Sequence, residues 1–181
     1  LLTHAFYTLV PAARQHGLPA EITLDIIEDL SSSAGAAGMV GGQAADMMAE
    51  QGATDLEELT YIHLHKTSDL LVFSLKAGAR AAGAGKQQLE ALERYGRSIG
   101  LAFQIQDDIL DVIGDEVKLG KRPNSDHAQA KVTYPYYIGL EASREKVKEL
   151  TEEGKKALVD GGLHDPSTLL ELADYLLDRE H

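Results

Sequence analysis

The sequence predicts an all-α fold, and three observations carry the prediction. Ala, Leu, Glu and Lys, all strong helix formers, are abundant, while three Phe and no Trp are present. No stretch alternates β-branched and polar residues in the manner of a half-buried strand. Apolar residues instead recur at three- and four-residue steps, most clearly Leu89, Leu92, Ile99, Phe103, Leu110 and Ile113. With 181 residues, 44% of them hydrophobic, the chain can enclose a sizeable core as one domain or a large piece of one.

Each element follows from its punctuation. Residues 1 to 16 form a helix ended by Gly17, and Pro19 opens a second that runs to the glycines near Gly35 and Gly38. The segment from Gly38 to Asp46 combines small residues with Gln43 and Asp46, so another helix or a ligand can approach its backbone closely, and Gly52 stops it. Thr54 and Glu57 have capping-box spacing, and the helix they open, apolar on several sides through Gly78 or Gly83, should be central and largely buried. Residues 87 to 113 form a long helix, followed by a turn-rich loop from Gly114 to Asp126 with a basic centre. Thr133-Tyr134-Pro135 starts another helix, Glu141 to Asp160 forms a charged, solvated one ended by Gly161-Gly162, and Asp165 to Arg179 forms an amphipathic last helix.

Charge and composition exclude several function classes. A net charge of −12 repels nucleic acid and anionic lipid unless the basic residues are focused in one place. The absence of cysteine removes disulfide scaffolds, thiolate metal sites and cysteine nucleophiles. No apolar run approaches the roughly 20 residues of a membrane span, and Leu1-Leu2-Thr3-His4 has neither the basic flank nor the apolar core of a signal peptide. The expectation is a soluble, cytoplasmic protein, with Leu1 in place of an initiator methionine leaving room for an upstream segment.

Three motifs carry chemistry. Gln104-Ile105-Gln106-Asp107-Asp108-Ile109-Leu110-Asp111 puts three carboxylates into an otherwise apolar helix, in one sector with Gln104 and Gly100. Asp107 and Asp111, one turn apart, repel each other unless a cation sits between them, and all-oxygen ligation favours a hard ion such as Mg²⁺, completed by water and substrate phosphate. His63-Leu64-His65-Lys66-Thr67 sets a lysine and a hydroxyl in an apolar helix, where they can grip a phosphate; its two histidines, at i and i+2, point to nearly opposite faces and make a poor metal pair. Lys121, Arg122 and Lys131 follow the aspartates, where a returning loop can bring cations to a metal-held anion. Nucleotide-binding glycine fingerprints are absent, which makes diphosphate a better ligand than nucleotide.

In this order the motifs resemble the trans-isoprenyl (polyprenyl) diphosphate synthase family, most closely its bacterial farnesyl diphosphate synthase group. The matching stretches are the Gly-Gln-x-x-Asp element within Gly38 to Asp46, His63 to Thr67, Phe103 to Asp111 with its DDxxD motif, and Gly120 to Pro135. The resemblance implies that Asp107 and Asp111 hold a catalytic Mg²⁺, with Asp108 nearby and Asp126 in the water shell. It implies that Gln43, Lys66, Thr67, Gln104, Lys121 and Lys131 bind substrate, with Asp107, Lys66 and Lys121 as the catalytic set.

The resemblance further implies an isoprenoid-synthase-type orthogonal helical bundle, incomplete at its N-terminal side, with residues 1 to 181 as the C-terminal part of a single polyprenyl synthetase domain. The helices bearing Lys66 and Asp107 should face each other across a polar cleft, and Glu21 to Gly38 should take part in a homodimer contact. The implied reaction is Mg²⁺-dependent condensation of isopentenyl diphosphate with an allylic diphosphate, dimethylallyl or geranyl, to farnesyl diphosphate. The family's first aspartate-rich motif is missing, and Glu28-Asp29 and Glu57-Glu58 do not substitute for it, so the 181 residues alone should be inactive. A terpene-cyclase-like enzyme and a non-catalytic helical interaction module are the alternatives; the intact DDxxD and the lysines argue against the second.

Overall fold

The computed structural model describes residues 1–49, 54–119 and 132–177. Among these residues every regular element is helical. Helix α1 (Leu2–Gln15) ends before Gly17, whose φ of 67° lets the chain reverse, and α2 (Ala20–Ala34) starts after Pro19. Next come α3 (Met39–Ala49), α4 (Leu56–His63) and α5 (Asp69–Ala81), then the 34-residue α6 (Lys86–Leu119). The short α7 (Tyr134–Ile138), α8 (Leu140–Asp160) and α9 (Ser167–Leu177) complete the chain. No described helix is long and apolar enough to cross a membrane.

Helix α6 is the spine, where the sequence pointed to the helix before it as central. Ile99, Ala102 and Ile105 are fully buried, and α6 contributes to two apolar clusters. The first joins Leu101, Ala102, Ile105 and Ile109 to Leu59, Tyr134, Val147 and Leu150. The second joins Leu92, Tyr95 and Ile99 to Leu158 of α8 and Ala173 of α9. Asp107 and Asp108 are thus flanked by Ile105 and Ile109 of the first cluster, which fixes the stretch of α6 that carries them.

Three expectations are corrected. The cap of α4 is Asp55, whose side chain accepts the Glu58 amide at 2.8 Å; Thr54 donates to the Ala49 carbonyl instead. A carboxylate one residue later does the same job and favours the helix N-terminus electrostatically. The helix predicted from Thr54 to Gly83 is interrupted by a π-helical turn, Leu64–Ser68, centred on Lys66. Helix α6 runs through Gly114 to Leu119: a single half-buried glycine costs a helix only about 1 kcal/mol, which the rest of a 34-residue helix outweighs. Gly52, Arg179 and the loop from Gly120 to Asp126, together with Lys131, lie outside the described residues.

Candidate active site

Helices α3, α4 and α6 and the π-helical turn enclose a cleft of about 350 Å³ lined by Asp46, Ile62, His63, Lys66, Gln104, Asp107, Asp108, Leu110 and Asp111. The lysine and the aspartate motif, some 40 residues apart in sequence, therefore share one site. Two glycines make the approach close. A Cβ at Gly42 of α3 would lie 2.3 Å from the Lys66 amide nitrogen, and one at Gly100 of α6 would lie 2.4 Å from Ser68 Oγ. The π-helical turn is gripped between these two backbone surfaces, and such turns frequently occur where a helix is bent to function.

Lys66 Nζ donates to Asp46 Oδ2 at 2.6 Å, with both side chains partly exposed to the cleft. Asp46 belongs to the Gly-Gln-x-x-Asp element, and the sequence names no partner for it; a lysine in an apolar helix is the signal that a carboxylate must be near. The histidines divide as their spacing demands. His63 faces Asp108, and His65 Nδ1 pairs with the buried Asp69 at 2.7 Å, which Arg97 also approaches at 3.3 Å.

The three aspartates separate by burial. Asp107 is half-buried, Asp111 is exposed at the mouth, and Gln104 Nε2 reaches Asp107 Oδ2 at 3.4 Å. The sequence groups Asp108 with the metal ligands, but the structure turns it inward, 2% exposed, where its Oδ2 accepts from His63 Nε2 and from the Tyr134 amide, each at 3.0 Å. Adjacent helical residues point about 100° apart, so Asp107 and Asp108 cannot both face the cleft squarely. Burial pushes the Tyr134 phenol above its usual pKa, keeping it neutral beside Asp108.

Among the described residues no group of three or more acidic or histidine side chains converges on one metal position. Asp107 and Asp111 still fit Mg²⁺, which takes one or two carboxylates and fills its shell with water and phosphate oxygens. Among the described residues lining the cleft, four are aspartates and one is a lysine, an excess of negative charge that favours a bound cation. Thr67, half-buried beside Lys66, and Gln43, exposed on α3, are not among the lining residues; Lys121, Asp126 and Lys131 are outside the described residues.

The family model "Polyprenyl synthetase" matches residues 5–160. Over 160 residues the chain is 45% identical to farnesyl diphosphate synthase of Escherichia coli (strain K12), covering 86% of this chain and 53% of that protein. It is 43% identical over 182 residues to a dimethylallyltranstransferase of Fischerella ambigua (strain UTEX 1903), covering 100% of this chain and 52% of the other. The geranyltransferase of Helicobacter pylori, solved in complex with magnesium and isoprenyl diphosphate, superposes with a TM-score of 0.73 at 34% identity, covering 97% of this chain and 56% of that one. The chain spans about half the length of these relatives.

Proposed function

Because this chain belongs to the polyprenyl synthetase family, we propose that the protein containing it is a prenyltransferase that adds isopentenyl diphosphate to dimethylallyl diphosphate and then to the resulting geranyl diphosphate, giving farnesyl diphosphate and releasing one diphosphate at each addition. The observation that carries this reading is the cleft in which Lys66 stands across from the Asp107 and Asp111 pair. That arrangement suits a ligand that is itself an anion and arrives with a hard cation.

Asp107 and Asp111 would hold Mg²⁺, which neutralises the diphosphate as it leaves. Lys66 supplies the fixed positive charge on the opposite wall, exchanging its Asp46 partner for a phosphate oxygen. Gln104 orients Asp107. As the C1–O bond of the allylic substrate breaks, the electron pair leaves with oxygen, toward Lys66. The isopentenyl double bond attacks C1, and loss of a proton restores an alkene. The main contribution of the chain is electrostatic stabilisation of the departing charge in a preorganised site. Thr67, Lys121, Lys131 and Gln43 are assigned to substrate contacts and Asp126 to the water shell of the metal, on the family resemblance. On the same basis residues 1 to 181 form the later part of one domain that dimerises through Glu21 to Gly38, where Leu24 is 64% exposed.

The test is Asp107→Ala in the full-length protein. Turnover with isopentenyl and geranyl diphosphates is expected to fall by orders of magnitude, and near-normal turnover refutes the assignment. Product analysis without isopentenyl diphosphate separates chain elongation from cyclisation.

A further inference from the structure

The residues that Asp108 meets under the cleft tie its two walls together. A carboxylate only accepts, so the hydrogen bond from His63 fixes its proton on Nε2. Asp108, His63 and Tyr134 are 2%, 6% and 5% exposed. The Tyr134 hydroxyl in turn bonds Thr60, three residues before His63 on α4, and the two rings stack with centroids 5.7 Å apart. The bonds close a circuit: α6 to α4 through Asp108 and His63, α4 to α7 through Thr60 and Tyr134, and α7 to α6 through the Tyr134 amide.

The circuit joins residues next to the site on both walls. Asp108 adjoins Asp107 in α6, and His63, the last residue of α4, stands three residues before Lys66. Stability alone does not call for such a bond, since replacing both partners of a buried hydrogen bond by apolar residues of the same shape is often nearly neutral. A hydrogen bond supplies what apolar packing does not, a fixed distance and direction between the two backbones.

Resting on the prenyl-transfer reading above, we infer that His63 is a positioning residue: through Asp108 it holds Asp107 and Asp111 at working distance from Lys66, so that one metal-bound diphosphate engages both walls. Groups bonded directly to metal ligands act in this way, and their loss typically weakens metal affinity about 10- to 100-fold; His63 acts one residue removed, on the neighbour of Asp107, which puts its effect at the lower end of that range.

The experiment is calorimetric titration of the full-length protein with diphosphate, with and without Mg²⁺. His63→Phe keeps the ring and its stack but loses the donor; its Mg²⁺-dependent affinity for diphosphate is expected to fall about 10-fold or more, with metal-free affinity unchanged. His63→Gln places an amide donor at a similar reach and is expected to recover most of the loss. A folded His63→Phe protein with wild-type affinity overturns the inference, as does a His63→Gln protein no better than His63→Phe. If His63→Phe does not fold, His63→Asn decides, because its shorter amide stays polar but stops short of Asp108, and wild-type affinity there is equally fatal. Asp107→Ala tests the underlying reading: undiminished Mg²⁺-dependent binding in that variant refutes prenyl transfer at this site, whereas loss there beside an unaltered His63→Phe refutes the positioning role alone.

Discussion

Replacing Gly42 by alanine adds one methyl group at the point where α3 touches the π-helical turn. That carbon would lie 2.3 Å from the Lys66 amide nitrogen and 2.8 Å from both His65 C and Lys66 Cα. Ordinary contact begins near 3.4 Å, so α3 and the turn must separate by about 1 Å. All three atoms belong to the backbone, and no side chain can rotate aside to absorb the clash. Overpacking of this kind costs about 1–3 kcal/mol. The displacement also falls on Lys66 itself, and a misplacement of about 1 Å at a reacting centre lowers turnover by about 100-fold. Gly78 supplies the control. It sits inside α5, where an added methyl would meet nothing within 4 Å, so Gly78→Ala should stabilise by about 0.5–1 kcal/mol through helix propensity and chain entropy. Urea unfolding and turnover measured side by side on the two full-length variants check both. A Gly42→Ala protein within about 0.5 kcal/mol of wild type and fully active would show that this contact does not set the position of the lysine.

Other parts of the fold make two more predictions. Tyr95, 1% exposed, donates its hydroxyl to the Leu169 carbonyl at 2.6 Å, and burial, with the Asp174 carboxylate adding to it, pushes its pKa up to about 12. The folded state then holds a proton that the unfolded chain gives up near pH 10, so this contribution is intact below pH 10 and lost as the pH rises through 12, about 3 kcal/mol in all. Tyr95→Phe should flatten that alkaline decline in pH-dependent urea unfolding, while costing about 1 kcal/mol at neutral pH; an unchanged alkaline slope refutes the assignment. Expressed alone and assayed with Mg²⁺, isopentenyl diphosphate and a short allylic diphosphate, the segment from Leu1 to His181 should form no product, since one carboxylate wall cannot enclose a leaving diphosphate. Robust product formation would refute the need for a second carboxylate wall.

The helices and the chemistry they carry were legible from local signals. Helical period, Gly17, Pro19 and the glycines near residue 161 locate α1, α2, α6 and α8 to within a few residues, apart from the C-terminal end of α6. Three aspartates in an apolar helix and a lysine in another announce a charged ligand for the same local reason, that neither belongs there without a partner. Which partners they meet was decided by packing. Asp108 lies 45 residues from His63 and Lys66 lies 20 from Asp46, separations over which no periodicity operates. Nor does the π-helical turn have a local cause that periodicity can register. It is held where Gly42 and Gly100 bring two other helices onto its backbone, and that convergence exists only once the bundle has packed.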